Sequence, residues 1–189
     1  LKVLTWNVNG LRALLLLELL REDPDVLGLQ EVKLSELLLL LLGYYGFGGG
    51  GGKGGVAILS KLPLLSVILG IDLIRVISTS GTFVVVNTHL PAGDERLAQL
   101  AELLDFLSFK SDPVILLGDF NARPDEWDSL LEIGKIGFPP TYWSYRGSSE
   151  KKRTPSRLDR ILVSGLLRVV SLILLEVLGS DHRPVLATL

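Results

Sequence analysis

The chain has 189 residues, 48% of them hydrophobic and 21% charged, with a formal net charge of −2 and a pI near 5.7. This composition describes one globular domain, residues 1–189, and excludes both a disordered chain and one drawn onto nucleic acid by its overall field. There is no Cys, which rules out disulfides and thiolate zinc sites. With no leader-like segment and no apolar run longer than Leu37 to Leu42, the expectation is an intracellular protein, cytoplasmic or nuclear, without a membrane segment.

In chain order, "KVLTWN" (Lys2 to Asn7) reads as a strand, from its β-branched and aromatic residues. Gly10 to Arg21 reads as a helix rich in Leu, Ala, Glu and Arg, stopped by Pro24. "DVLGLQE" (Asp25 to Glu31) is a second short strand with a polar end. Leu34 to Leu42 has helix propensity, and Tyr44 to Gly55 reads as a Gly-rich connection. "GVAILS" (Gly55 to Ser60) is a strand. Two more are expected around Ile71 to Thr79 and Thr82 to Thr88, with Ser80-Gly81 as their hairpin turn.

Asp94 to Phe109 carries Leu97, Leu100, Leu104 and Leu107 at helical spacing and reads as an amphipathic helix. "PVILLGD" (Pro113 to Asp119) is a strand and Asp125 to Glu132 a short helix. "RLDRILVS" (Arg157 to Ser164), "RVVSLILLE" (Arg168 to Glu176) and "PVLATL" (Pro184 to Leu189) are the closing strands. Short strands mixed with helices and hairpins indicate an α/β fold with two mixed sheets face to face and helices outside.

Leu dominates the composition, Met is absent, and "LLLLLL" (Leu37 to Leu42) and "GGGGG" (Gly48 to Gly52) resemble default residues at variable positions. The other residues therefore carry the information. Polar side chains recur where apolar strands stop: Asn7, Gln30-Glu31, Asn87 with His89, Asp119 with Asn121, and Asp159. Asp181-His182 precede the last strand. Strand ends are where a rigid scaffold displays a site. Each residue has an ordinary alternative. Glu31 reads equally as a loop acid, "GDFN" as a turn, and Asp159 as a salt-bridge partner of its neighbouring arginines. Asp181-His182 could be a polar loop pair. His89 and Asn7 could simply bond backbone.

Taken together, the set suits metal-assisted phosphate hydrolysis. Carboxylate and amide oxygens without thiolate fit a hard cation, Mg²⁺ or Mn²⁺. An acid or imidazole can then orient and deprotonate water, while Asn and His hold the non-bridging oxygens. No P-loop, G-x-S-x-G elbow or H-E-x-x-H helix is present.

"TWNVNGLRA", "LQEVK", "GGVAILSK", "VVNTHLP", "ILLGDFNARP", "RLDRILVS" and "SDHRPV" occur in an order that resembles the endonuclease/exonuclease/phosphatase superfamily. The resemblance implies a four-layered α/β sandwich with a divalent-metal site at one edge. "WNVNGLRA" and "TYWSYRG" (Thr141 to Gly147) look most like exonuclease III-type apurinic/apyrimidinic endonucleases. Carried onto matching positions, this implies Glu31 as main metal ligand, with Asn7 and Asp181 beside it. Asp119 would activate or position water, and Asn121 would bind the scissile phosphate. Asp159 would orient His182, which would contact the phosphate or act as base.

His89 stands where the exonuclease III type usually has Tyr. His there looks more like the deoxyribonuclease I, sphingomyelinase and deadenylase branches. Trp143, Tyr145, Arg146 and Arg157, with Lys151, Lys152 and Arg153, could bind a DNA backbone and stack on a base or abasic gap, or form a solvated basic loop. The leading expectation is a monomeric Mg²⁺-dependent phosphodiesterase acting on DNA. The alternatives are a phosphatase or phospholipase acting on inositol phosphates or sphingomyelin, and a non-catalytic chain, consensus-like or designed, that has the fold without turnover. No protein partner is readable.

Overall fold

The computed structural model describes residues 1–10, 18–33, 43–49, 54–70, 73–78, 83–108, 113–122, 142–145, 153–156, 158–164, 167–177 and 179–189. The strands are β1 (Lys2–Asn7), β2 (Val26–Val32), β3 (Tyr45–Gly49), β4 (Gly55–Ser60), β5 (Leu64–Gly70), β6 (Leu73–Ser78) and β7 (Val84–His89). After helix α1 (Glu95–Ser108) come β8 (Val114–Asp119), β9 (Tyr142–Tyr145), β10 (Arg153–Ser156), β11 (Asp159–Val163), β12 (Ser171–Leu174) and β13 (Val185–Thr188).

Two mixed sheets result, ordered β12-β13-β1-β2-β4-β3 and β11-β8-β7-β6-β5, with β9 and β10 as a separate antiparallel pair. Each large sheet contains one parallel pair among its described strands, β1 with β2 and β7 with β8. Alternation along the strands sorts the apolar residues into layers. Val3, Val26, Ile58 and Val185 of the first sheet meet Val85, Ile115, Leu117 and Ile161 of the second in the central core. On the far face of the first sheet, Leu4, Trp6, Leu27 and Leu59 pack with Leu19 from a helical turn at residues 18–20. On the far face of the second, Val84, Val86, Val114 and Leu116 pack against Leu100 and Leu103 of α1. Each fully buried side chain of this kind contributes about 1.5–3 kcal/mol. The three cores in series are those of an α/β sandwich.

The strands expected at 2–7 and 55–60 match, and β2, β8, β11, β12 and β13 fall within or one residue beyond their expected spans. Three strand regions depart. The Gly-rich connection contains β3, paired along its length with β4, because ladder hydrogen bonds need no side chains. A strand at Leu64–Gly70, β5, lies in a stretch with no sequence expectation and pairs with β6. Around "TYWSYRG" the chain forms β9, matched to β10. In α1 the apolar stripe is rotated: Leu97 is 50% exposed, and Leu103 rather than Leu97 joins Leu100 inside. The helices expected over Leu34 to Leu42 and Asp125 to Glu132, the Ser80-Gly81 turn, and most of the helix expected from Gly10 lie outside the described residues.

Candidate active site

Register brings the polar strand ends together. His89 is level with Asp119 in the parallel β7–β8 pair. Asp119 is level with Asp159 in the antiparallel β8–β11 pair. Three site residues therefore stand abreast on neighbouring strands. In the facing sheet, Asn7 is level with Gln30, one residue before Glu31.

Asn7 links the two sheets. Its Nδ2 donates to Glu31 Oε1 and to Asp119 Oδ2, both at 2.9 Å. Its Oδ1 accepts the Asn9 amide N–H at 3.0 Å. The buried amide thus acts as a clamp that turns two carboxylates toward each other. His89 Nε2 lies 3.7 Å from each of the same two oxygens. Among the described residues, the ion-pair partners of Glu31 and Asp119 are histidines. Among the described residues neither carboxylate has a Lys or Arg ion-pair partner, an environment that suits a hard divalent cation nearby.

Asp119 ends β8 immediately after Gly118, whose φ of +142° and contact with Thr88 leave no room for a side chain. Asp119 is buried, and its Oδ1 accepts the Asn121 N–H at 2.9 Å. Asn121 lies past the strand at φ +50°, with its Nδ2 donating to Leu90 O at 2.8 Å. A turn therefore holds it near Asp119.

His182 completes the group. Its Nδ1 is 2.8 Å from Asp159 Oδ2, and its Nε2 is 3.7 Å from Asp119 Oδ2. Donor atoms of Asp119, Asp159 and His182 lie within 4.8 Å of one another, all three residues buried. Burial alone disfavours charge on the imidazole. The opposing effect of Asp159, Asp119 and Asp181 wins and raises its pKa to about 9. His182 is therefore imidazolium at neutral pH. The Trp6 indole donates to its carbonyl at 3.0 Å. Ser180 Oγ accepts its N–H at 3.1 Å and donates to Asn7 O at 2.8 Å.

Of the expected site residues, Asn7, Glu31, His89, Asp119, Asp159 and His182 converge directly, and Asn121 joins through its backbone. Asp181 is tied in at one remove, its Oδ1 accepting from Asn9 Nδ2 at 3.0 Å. Trp143 and Tyr145 lie on β9, but their side chains, like Arg146 and Arg157, lie outside the described residues. Sequence reasoning missed Asn9 and Ser180. Both sit in short polar turns, "NVNG" and "GSDH", whose residue types favour bonds from side chain to nearby backbone.

A family model described as the Endonuclease/Exonuclease/phosphatase family matches residues 4–182. The chain belongs to that family. Its members' common ground, phosphoric-ester hydrolysis, agrees with an acid and imidazole site at the strand ends of both sheets. A curated exodeoxyribonuclease of Bacillus subtilis (strain 168) is 29% identical, with 97% of each chain covered. Among solved structures, a 3'-5' exonuclease (NExo) from Neisseria meningitidis has a TM-score of 0.78 at 25% identity, over 100% of this chain and 99% of that one. An AP endonuclease from Archaeoglobus fulgidus has a TM-score of 0.74 at 23% identity, over 100% and 98% of the two chains, a likeness of fold. The endonuclease/exonuclease/phosphatase match thus spans residues 4–182 and takes in strands of both sheets. No helix among the described residues is long and apolar enough to cross a membrane.

Proposed function

We propose that this endonuclease/exonuclease/phosphatase enzyme is a divalent-cation-dependent phosphodiesterase acting on DNA, of the abasic-site endonuclease or exonuclease III type. The observation that carries the reading is the double hydrogen bond of Asn7 Nδ2 to Glu31 and Asp119, made within reach of both histidines. Glu31 and Asp181 are the carboxylates assigned to Mg²⁺ or Mn²⁺. Asn7 has its nitrogen toward Glu31, so we assign it to orienting that ligand. A bound cation would neutralise phosphate charge and steady the leaving oxygen.

The chain's own residues divide the remaining work. Asp119 Oδ1 holds the Asn121 N–H and its Oδ2 holds Asn7, so the carboxylate is fixed in place to orient water and accept its proton. His182, its Nδ1 held by Asp159 and its Nε2 on the side of Asp119, donates toward a non-bridging phosphate oxygen. Asp159 keeps His182 charged and correctly turned. His89, beside both carboxylates, is placed to donate to the same phosphate. Asn121 and the β9 residues Trp143 and Tyr145, with Arg146 and Arg157, are assigned to the DNA strand, and the enzyme is read as a monomer.

The test is cleavage of abasic, intact and 3'-phosphate-terminated duplex DNA, with Mg²⁺, with Mn²⁺ and with chelator. Cation-dependent cutting at the abasic site is expected. Inertness of the folded protein toward all three overturns the reading. Release of terminal phosphate alone transfers it to a DNA 3' phosphatase, the activity named for NExo bound to a product hairpin, 25% identical to this chain. Hydrolysis confined to inositol phosphates or sphingomyelin replaces DNA as substrate.

A further inference from the structure

Glu31 does not sit on a regular strand. Leu29 pairs with Ala57 and Val32 with Gly55, so Gln30 and Glu31 together face Val56 alone. This is a β-bulge, and Glu31 occupies it at φ +54°. Left-handed backbone is strained in a residue other than Gly and persists only where its surroundings impose it. Bulges commonly re-aim a side chain beside a site.

The imposing group comes from the other sheet. Asn87 on β7 is fully buried. Its Nδ2 donates to Leu29 O at 2.9 Å and to Ala57 O at 2.8 Å. These two carbonyls belong to the last in-register pair before the bulge. Its Oδ1 accepts from Gln30 Nε2 at 2.6 Å, and Gln30 Nε2 also reaches Thr5 Oγ1 at 3.0 Å. All three of these Asn87 side-chain hydrogen bonds are therefore spent on the strands around the bulge. Gly28 makes the space. A Cβ there would stand 1.9 Å from Leu117 Cδ1 and 3.0 Å from Asn87 Cγ and Oδ1.

We infer that Asn87 is a positioning residue: from the second sheet it fixes the β2 bulge in the first, and so aims Glu31 at the site. The inference rests on the reading of Glu31 as a working site residue. It goes beyond that reading by giving a buried amide, two residues before His89 and outside the reacting group, control over catalytic geometry. Asn87 also ties the strand that ends in His89 to the strand that bears Glu31. The two halves of the site thereby keep their spacing. Outer-shell partners of this kind typically cost 10- to 100-fold in cation affinity or activity when removed.

The experiment uses the full chain with Asn87→Ser and, separately, Gln30→Met. Each is made alone and in a Glu31→Gln background. Expected is a fall in kcat of about 10- to 100-fold with KM for DNA little changed, a parallel loss of Mn²⁺ affinity, and little further loss of Mn²⁺ affinity in the Glu31→Gln background. By NMR, the Glu31 backbone leaves the left-handed region in both variants. Unchanged kcat and Glu31 conformation in folded variants would reduce Asn87 to a strut between sheets and overturn the inference, as would equal losses in both backgrounds. Should Asn87→Ser not fold, Gln30→Met carries the comparison, because it keeps side-chain volume and removes the donor to Asn87 Oδ1. A wild-type protein inert toward every phosphoric ester would defeat the functional reading instead, and the Glu31 conformation in the variants would then decide the role of Asn87.

Discussion

Asp159 and Asp119 are buried directly opposite each other in the β8–β11 ladder, and His182 lies against both. Like charges at facing ladder positions repel. Here the ring of His182, 2.8 Å from one carboxylate and 3.7 Å from the other, supplies the compensating cation. The pairing therefore raises the pKa of His182, against the effect of burial.

It follows that His182 in the metal-free protein titrates near pH 9. Asp159→Asn removes the strongest support for the charge and lets burial pull the value down toward or below its ordinary 6.5. Imidazole NMR titration of the two proteins checks this. An unmoved His182 in the variant would place the source of its charge elsewhere.

The same shift sets a pH dependence of stability. Its folded pKa, about 9, is above the ordinary 6.5. The stabilisation is therefore complete below pH 6.5 and is lost as pH rises through about 9. It is worth about 3 kcal/mol. Urea denaturation of metal-free protein across pH 6 to 10 should show that decline, and His182→Gln should flatten it. A wild-type curve level over this range contradicts the argument.

Asn7→Ala should cut kcat about 10- to 100-fold, since Glu31 and Asp119 lose the shared donor that turns them together. Asn7→Asp should be worse, placing a third carboxylate between two. Steady-state kinetics with Mn²⁺, beside Mn²⁺ affinity measured without substrate, would separate the effect on cation binding from that on turnover.

Gly118→Ala should destabilise the fold by about 3 kcal/mol or more, beyond the usual cost of overpacking. The added Cβ would fall 1.9 Å from the Thr88 carbonyl oxygen at φ +142°. Because Gly118 directly precedes Asp119, residual activity of folded variant should fall as well. Thermal unfolding and specific activity give the two readouts.

Much of this fold and site is legible in the residues alone. The apolar runs at Lys2 to Asn7, Gly55 to Ser60 and Val114 to Asp119 announce strands by composition, and the polar residues at their ends announce a site. Lateral register is what the residues do not reveal. That His89, Asp119 and Asp159 stand level is a property of three strands, visible in none of them. Strand β3 is hidden because Gly has poor strand propensity and partner β4 supplies the order. The α1 stripe rests on Leu spacing alone, and the sheet beneath chooses Leu103 over Leu97. Asn87 stands out as a strand-end polar residue, but its reach across to Leu29 and Ala57 depends on Gly28, from a distant part of the chain.

The level alignment of His89, Asp119 and Asp159 has a further consequence. A slip of one residue between strands turns every side chain to the opposite face. A chain paired out of step would bury these groups apart, among the aliphatic residues meant for the outer layers. The three groups thus come to one place only when β7, β8 and β11 pair in this register.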